Sequence, residues 1–216
     1  MLRFFFLLSA LLLVSACQYK GVVESEAPSQ AWLSDPSYFD DQFKSLKQRS
    51  DWRYAAKVGI TTPSKREQAN LVWKHSSHNN EGQNEVRIFG PLGVGAVRLN
   101  FDSSGAVVYD QKGLAHHGRT AEQLLTKIVG WPIPVDALSS WLFAVPDNKT
   151  HYRYKLDQDG NLAVLEQFGW QISYSAYREY AGALIARKIV ATRELTVNDS
   201  QGVSSITVKL ITKSLK

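Results

Sequence analysis

Apolar residues at every second position run through most of this chain. The pattern is clearest where Trp52, Tyr54, Ala56, Val58 and Ile60 follow one another two apart. Similar segments recur at about 71–73, 86–88, 97–101, 106–110, 152–156, 162–167, 170–177, 188–196 and 204–212, with turns at 102–105 and 157–161. Successive side chains of a strand point to opposite faces of a sheet, so this period predicts many half-buried strands. Their short links favour antiparallel pairing, because a parallel link would need a crossover helix.

Three segments instead have helical spacing. The first, over about 36–49, begins with Asp35 as a helix cap and proline at the next position. The second follows a capping-box pattern at 120–123, and its apolar face is predicted to be Leu124, Leu125 and Ile128. The third covers about 135–143. The sequence therefore predicts a mainly β (α+β) fold, in which one antiparallel sheet curls toward a barrel and helices on one side enclose a cavity.

The N-terminus predicts a lipoprotein signal peptide over residues 1–16. Arg3 is the only charge before an apolar block that ends at Val14, which is too short to span a bilayer. Residues 14–17 (Val-Ser-Ala-Cys) resemble a lipobox, whose cysteine receives a covalent diacylglycerol and becomes the N-terminus. The alternatives are a plain secretory signal followed by a chance cysteine, and a buried core segment. Cys17 is the only cysteine, so no intramolecular disulfide is available. Gln18, where aspartate would imply retention in the inner membrane, implies the outer membrane.

From the cysteine onward, length and composition limit what the chain can be. Residues 17–31 are small and polar and predict a flexible tether, while 32–216 are long enough for one domain with a sizeable core. The net charge of +5 would fall to +4 on removal of Arg3 with the signal, and the cations are scattered. Such a distribution predicts no nucleic-acid partner. It fits docking to an acidic protein or to anionic lipid headgroups, and it equally fits a role in solubility alone.

Motifs for catalysis or metal binding are weak. Residues 157–160 imitate the start of a calcium loop, but Phe168 falls where the bidentate glutamate should be, so a hairpin turn is favoured. His75 and His78 would face opposite sides of a strand, and adjacent His116 and His117 would also diverge. The sequence has no Gly-x-Ser-x-Gly elbow, and the glycine-rich run at 90–95 lacks the Lys-Ser/Thr of a phosphate loop. We therefore expect no enzyme activity, no metal and no nucleotide.

Several segments, in order, resemble the outer-membrane lipoprotein receptor LolB family over nearly the whole mature chain. They are the lipobox, a strand bearing Trp73, residues 86–93, a Leu-Leu helix ending at 130–134, residues 141–146, residues 169–174 with Tyr177, and the final strand at 206–211. Two positions depart from the family pattern: Ala144 stands where the family usually has glycine, and the last strand lacks a tryptophan.

The resemblance implies an unclosed antiparallel β-barrel with helices as a lid over an apolar cavity. It implies that the protein takes lipoproteins from a LolA-like periplasmic carrier, holds their acyl chains, and releases them into the inner leaflet of the outer membrane. Neither a metal nor a nucleotide is implied, and the only attached group would be the N-acyl diacylglycerol on Cys17. We also expect a monomer, anchored by lipid to the outer membrane and facing the periplasm.

Two groups of residues are candidates for the work of transfer. The acyl-chain cavity is predicted to be lined by Trp52, Trp73, Ile88, Leu99, Trp141 and Trp170, for each of which ordinary core packing is the alternative. Leu92, flanked by Pro91 and Gly93, is predicted to sit at the tip of a tight turn. The resemblance implies that this leucine inserts cargo into the membrane. The main alternative function is a lipid-anchored binding module for another apolar ligand, and a third is a structural envelope lipoprotein with a filled core.

Overall fold

A computed structural model describes residues 31–78, 81–90, 93, 95–129, 133–195 and 204–216. The predicted signal peptide, Cys17 and nearly all of the predicted tether lie outside these residues, as do Pro91 and Leu92. The elements are a 3₁₀ turn Pro36–Phe39, α1 Asp40–Gln48, β1 Asp51–Thr61, β2 Arg66–His78, β3 Glu81–Phe89, β4 Val97–Asp102, β5 Gly105–Tyr109, β6 Ala115–Gly118, α2 Ala121–Val129, α3 Val135–Trp141, β7 Tyr152–Leu156, β8 Leu162–Gln167, β9 Trp170–Tyr180, β10 Ala183–Leu195 and β11 Ser204–Leu215.

All eleven strands form one antiparallel sheet in the order β6-β5-β4-β3-β2-β1-β11-β10-β9-β8-β7. The first and last strands, β1 and β11, pair at its centre, while β6 and β7 are its two edges. The sheet is therefore unclosed, which confirms the predicted fold class. Within the described ranges, no helix is long and apolar enough to cross a bilayer.

The period of two decides which face of the sheet is buried. In β1, Trp52, Tyr54, Ala56 and Val58 are buried, while Asp51, Arg53 and Lys57 between them are exposed. The buried face is the concave one, where the core residues of the strands meet those of α2 and α3. The convex face carries the charged residues.

Both capped helix starts agree with the sequence. The Asp35 carboxylate accepts a hydrogen bond from the backbone N–H of Ser37 at 2.9 Å, and Thr120 Oγ1 accepts one from Gln123 N at 3.2 Å. The predicted apolar face of α2 is correct at Leu124, which is buried, but wrong at Ile128, which is 49% exposed. Ile128 is exposed because α2 lies over β5 and β6, where the sheet ends.

Two features of the sheet were not predicted. β6 has the sequence Ala-His-His-Gly with no apolar alternation, and it forms because the backbone of β5 is available for pairing. β9 and β10 form a long hairpin, which turns at Ala181 and Gly182 with φ values of 47° and 71°. Positive φ at both turn residues suits the twist of an antiparallel pair.

Candidate functional site: an apolar cavity in the half-barrel

A cavity of about 180 Å³ lies between the concave face of the sheet and the segment of α2 and α3. Seven strands each contribute two inward residues separated by one, so the strand period itself builds the wall. The strand residues are Val58, Ile60, Leu71, Trp73, Val86, Ile88, Val97, Leu99, Trp170, Ile172, Ile189, Ala191, Val208 and Leu210, and the helical segment adds Leu125, Ile133, Pro134, Val135, Leu138, Trp141 and Leu142. No charged side chain is among them.

Five of the six residues nominated from sequence line this cavity. They are Trp73, Ile88, Leu99, Trp141 and Trp170. Trp52 does not, and its nomination is corrected here. It points to the concave face, but it precedes Val58 by six residues, or roughly 20 Å along a strand. Its ring packs 5.7 Å from that of Trp73 and 5.4 Å from that of Phe143, so it belongs to the core beside the cavity.

Asn84 fixes the orientation of Trp73 in the cavity wall. Its Oδ1 accepts a hydrogen bond from Trp73 Nε1 at 3.0 Å and lies 3.0 Å from His75 Nδ1. Phe101 packs edge-on against the indole at a centroid distance of 5.9 Å. The polar edge of this tryptophan is therefore satisfied outside the cavity, and its apolar surface is left to line it.

Gln167, which sequence reasoning missed, holds the helical lid to the sheet. It is buried, and its Oε1 accepts hydrogen bonds from Trp141 Nε1 at 2.9 Å and from Asp147 N at 2.8 Å. Its Nε2 donates to the backbone carbonyls of Asp147 and Thr150 at 2.6 and 3.1 Å. The sequence offers no signal for this role, because a glutamine ending a strand ordinarily faces solvent.

Ala144 ends the lid at the position where the family pattern implies glycine. Its N–H donates to Trp141 O at 3.0 Å, and the next N–H, that of Val145, donates to Ser140 O at 3.1 Å. These two bonds form a Schellman motif, which places Ala144 in the left-handed region with φ of 57°. Alanine at this position therefore carries backbone strain that glycine would avoid.

Buried phenols lie further along the concave face. Burial raises the pKa of Tyr54 to about 12 and also raises the pKa values of Tyr174 and Tyr177. Tyr54 Oη lies 2.9 Å from Thr212 Oγ1, which donates to Ala186 O at 3.0 Å. These tyrosines are neutral at ordinary pH, so the interior of the half-barrel carries no phenolate charge.

The β3–β4 connection is described only in part. Gly93 is exposed, adopts a φ of 81° and donates its N–H to Gly90 O at 3.2 Å, which indicates a tight turn. Because Leu92 lies outside the described residues, its exposure stays a prediction.

The segment at 157–160 has the hydrogen bonds of a turn. The carboxylate of Asp157 accepts hydrogen bonds from the backbone N–H groups of Asp159 and Asn161, which makes the calcium-like segment a hairpin turn. In the described part of the chain, no three His, Cys, Asp or Glu side chains gather where they could hold a metal ion.

An open antiparallel sheet curled around an entirely apolar cavity defines this chain as a half-barrel protein with an internal apolar site. Its fold is similar to that of a DUF1329 family protein from Desulfovibrio piger, with a TM-score of 0.55 at 10% identity over 84% of this chain and 93% of that one. The family model for outer membrane lipoprotein LolB matches residues 50–214.

Curated relatives agree with the family match. The outer-membrane lipoprotein LolB of Pseudomonas paraeruginosa is 32% identical over 192 residues, which cover 87% of this chain and 88% of the relative. That of Pseudomonas syringae pv. syringae is 31% identical with the same coverage. The chain belongs to the LolB family and is an outer-membrane lipoprotein.

Proposed function

We propose that this protein is an outer-membrane lipoprotein receptor that binds the acyl chains of lipoproteins in its apolar cavity. It receives them from a LolA-like periplasmic carrier and inserts them into the inner leaflet of the outer membrane. The observation that carries the proposal is the cavity wall, which is apolar at all of its lining positions in a member of the LolB family.

The energy of acyl transfer explains why such a wall is needed. An acyl chain of about fifteen methylenes, at ~0.8 kcal/mol each, resists exposure to water by roughly 12 kcal/mol. A carrier and a receptor must therefore both offer apolar sites. Once both sites exist, about 1.4 kcal/mol of difference between them biases transfer tenfold.

The size of the cavity implies that the lid moves. Pockets that hold a whole small ligand occupy about 300–1,000 Å³, whereas this cavity measures about 180 Å³. Leu125, Leu138 and Leu142 fill the space from the helical side. An entering acyl chain would displace these side chains and replace their apolar contacts with its own. Opening of the lid would therefore exchange one set of apolar contacts for another.

Delivery is the part of the proposal that rests on Leu92. A leucine held between Pro91 and Gly93 at a turn would place apolar surface outside the fold, where it can enter the acyl region of a bilayer. The lipid on Cys17 would keep the domain close enough to the membrane for this to occur.

Photo-crosslinking at adjacent positions on opposite faces of β11 tests the cavity. Leu210 lines the cavity and is partly exposed, whereas Lys209 next to it is exposed on the convex face. Benzoylphenylalanine at position 210 should capture acylated lipoprotein supplied on the loaded carrier, and the same probe at 209 should not. Equal capture at both positions, or none at 210 while transfer proceeds, would refute the cavity as the acyl site. Capture of a different apolar ligand, with no transfer, would favour the alternative binding module.

A further inference from the structure

The convex face of the sheet carries cations directly opposite one another on neighbouring strands. Arg53 on β1 lies opposite Lys74 on β2, and Arg87 on β3 lies opposite Arg98 on β4. All four are exposed. One carboxylate of this region, that of Glu85, is 3.3 Å from Lys74 Nζ. Like charges directly opposite on a sheet are destabilising, so folding does not explain this arrangement.

A groove of about 440 Å³ runs across this cluster. Its walls combine the cations Arg53, Lys74 and Arg87 with apolar or small residues, namely Val72, Phe89, Gly93 and Ala96. It reaches the β3–β4 connection, the segment to which Leu92 belongs. A groove of this kind offers positive charge and apolar surface side by side.

A second, independent feature adjoins that connection. Leu114, in the β5–β6 loop, is 59% exposed, and hydrogen bonds to Asp110 hold the loop backbone around it. The Asp110 carboxylate accepts hydrogen bonds from the N–H groups of Lys112 and Leu114 at 2.8 and 2.9 Å. Gln111 packs over the β3–β4 connection, because a Cβ placed on Gly95 would lie 3.4 Å from its Nε2. The loop thus presents an exposed apolar side chain on a hydrogen-bonded backbone, with Lys112 close to it in the chain.

We infer that the basic groove and the Leu114 loop together form a docking surface for a membrane that contains anionic phospholipid. Leu114 enters the acyl region, while Arg87 and Arg98 bind headgroup phosphates. An exposed leucine bordered by cations is the pattern of proteins that lie on bilayers, and an acidic protein would not require the leucine. As an outer-membrane lipoprotein, the chain already works next to such a surface. The inference deepens the proposed function by orienting the domain on the membrane, but it does not depend on the acyl-chain site.

An environment-sensitive fluorophore on the lipid-anchored protein tests this surface. Cys17 is the only cysteine and would carry the anchor, so Leu114→Cys provides a unique thiol for labelling. The control is Asp159→Cys, on an exposed turn at the opposite end of the sheet. In vesicles of phosphatidylethanolamine with phosphatidylglycerol, the probe at 114 should shift to the blue and the probe at 159 should not. In phosphatidylethanolamine alone, the shift at 114 should be largely lost.

Charge-matched variants test the basic cluster. Each cation near an anionic surface contributes about 1 kcal/mol, so Arg87→Gln with Arg98→Gln should lower the docked-to-undocked ratio about 30-fold. Lys188→Gln with Lys209→Gln removes two exposed cations of the same convex face on β10 and β11 and should leave the ratio unchanged. The Arg pair should keep a Tm within a few degrees of that of the unsubstituted protein, because the repulsion that is removed offsets the lost contact of Arg98 with the ring of Tyr109.

Three outcomes would overturn the inference. They are equal signals at 114 and 159, a shift that is the same in both lipid mixtures, and an equal loss in the two charge-matched pairs. Normal docking of the Arg pair with weakened binding to the carrier would assign the cluster to an acidic protein instead. Failure of the photo-crosslinking experiment above would leave these results standing, so the two proposals fail separately.

Discussion

Gln167 is the residue on which the attachment of the lid depends, and Gln167→Met tests that attachment. Methionine has nearly the length and volume of glutamine, so the change removes hydrogen bonds without opening a large cavity. Four bonds are lost, and the indole N–H of Trp141 and the backbone N–H of Asp147 are left without their partner. Both lie in buried surroundings, because Trp141 is 2% exposed and Asp147 8%.

The magnitude follows from the stranded groups. Each buried donor or acceptor left unsatisfied costs about 1–3 kcal/mol, so two stranded donors predict a loss of about 4 kcal/mol in the free energy of unfolding. For a domain of this size, that loss corresponds to a fall of roughly 10 °C in Tm. One lost bond joins Trp141 of the lid to β8, and the other three hold the segment after the lid at Asp147 and Thr150. The lid should therefore open more readily, and the cavity should bind an apolar fluorescent dye faster than before.

Thermal unfolding and dye binding measure these two effects. The control is Gln171→Met, four residues along at an exposed position of β9, which should change Tm by no more than about 1 °C. A fall in Tm of less than about 2 °C for Gln167→Met would refute the view that this side chain holds the lid. A large fall in Tm with unchanged dye binding would show that the lid opens independently of Gln167.

Further predictions concern delivery, anchoring, backbone strain and pH. Leu92→Glu should accept lipoprotein from the carrier but fail to deliver it to liposomes, whereas Leu92→Ile should deliver it; normal delivery by the glutamate variant would contradict the proposed role. Cys17→Ala, released into the periplasm, should keep binding and transfer in solution but deliver cargo to the wrong membrane in cells, which fractionation would detect. Ala144→Gly should change stability by no more than about 1 kcal/mol, because relief of left-handed strain offsets a lost buried methyl and a more flexible unfolded chain, whereas Ala144→Val should cost about 2 kcal/mol by thermal unfolding. Since the folded pKa of Tyr54 is about 12 and the unfolded value is 10, its contribution is fully present below pH 10 and should fall by about 2–3 kcal/mol as pH rises through 12. Tyr54→Phe should therefore flatten that decline in urea unfolding, and an unchanged slope would contradict this assignment.

The fold was largely predictable because its signals are local. The period of two follows from the alternation of side chains along a strand, and it marks the concave residues of β1 without knowledge of any partner. The caps at Asp35 and Thr120 are also local, since each side chain bonds a backbone N–H two or three residues away. β6 was missed because its pairing comes from the backbone of β5, for which His116 and His117 give no signal.

The cavity was predictable only in part. Trp73 and Trp141 were identified as large apolar residues at inward positions, and both line the cavity. Trp52 satisfies the same rule and lies outside the cavity, because its ring packs against Trp73 and Phe143 in the core beside it. Gln167 gave no signal, because its partners Trp141 on the lid and Asp147 just after it are 26 and 20 residues away along the chain.

The convex face likewise has features that the sequence predicts and features that only the tertiary structure decides. Arg87 and Arg98 each lie next to an inward residue, so the strand pattern alone predicts that both point away from the core. Only the register of β3 against β4 places these two cations opposite each other, and only the loop contacts bring the Leu114 loop beside the β3–β4 connection. The sequence by itself thus determined most of the strands and their inward faces, which depend on neighbours along the chain. The tertiary structure alone decided the extent of the cavity, the attachment of its lid and the grouping of surface charge, because these depend on which distant segments meet.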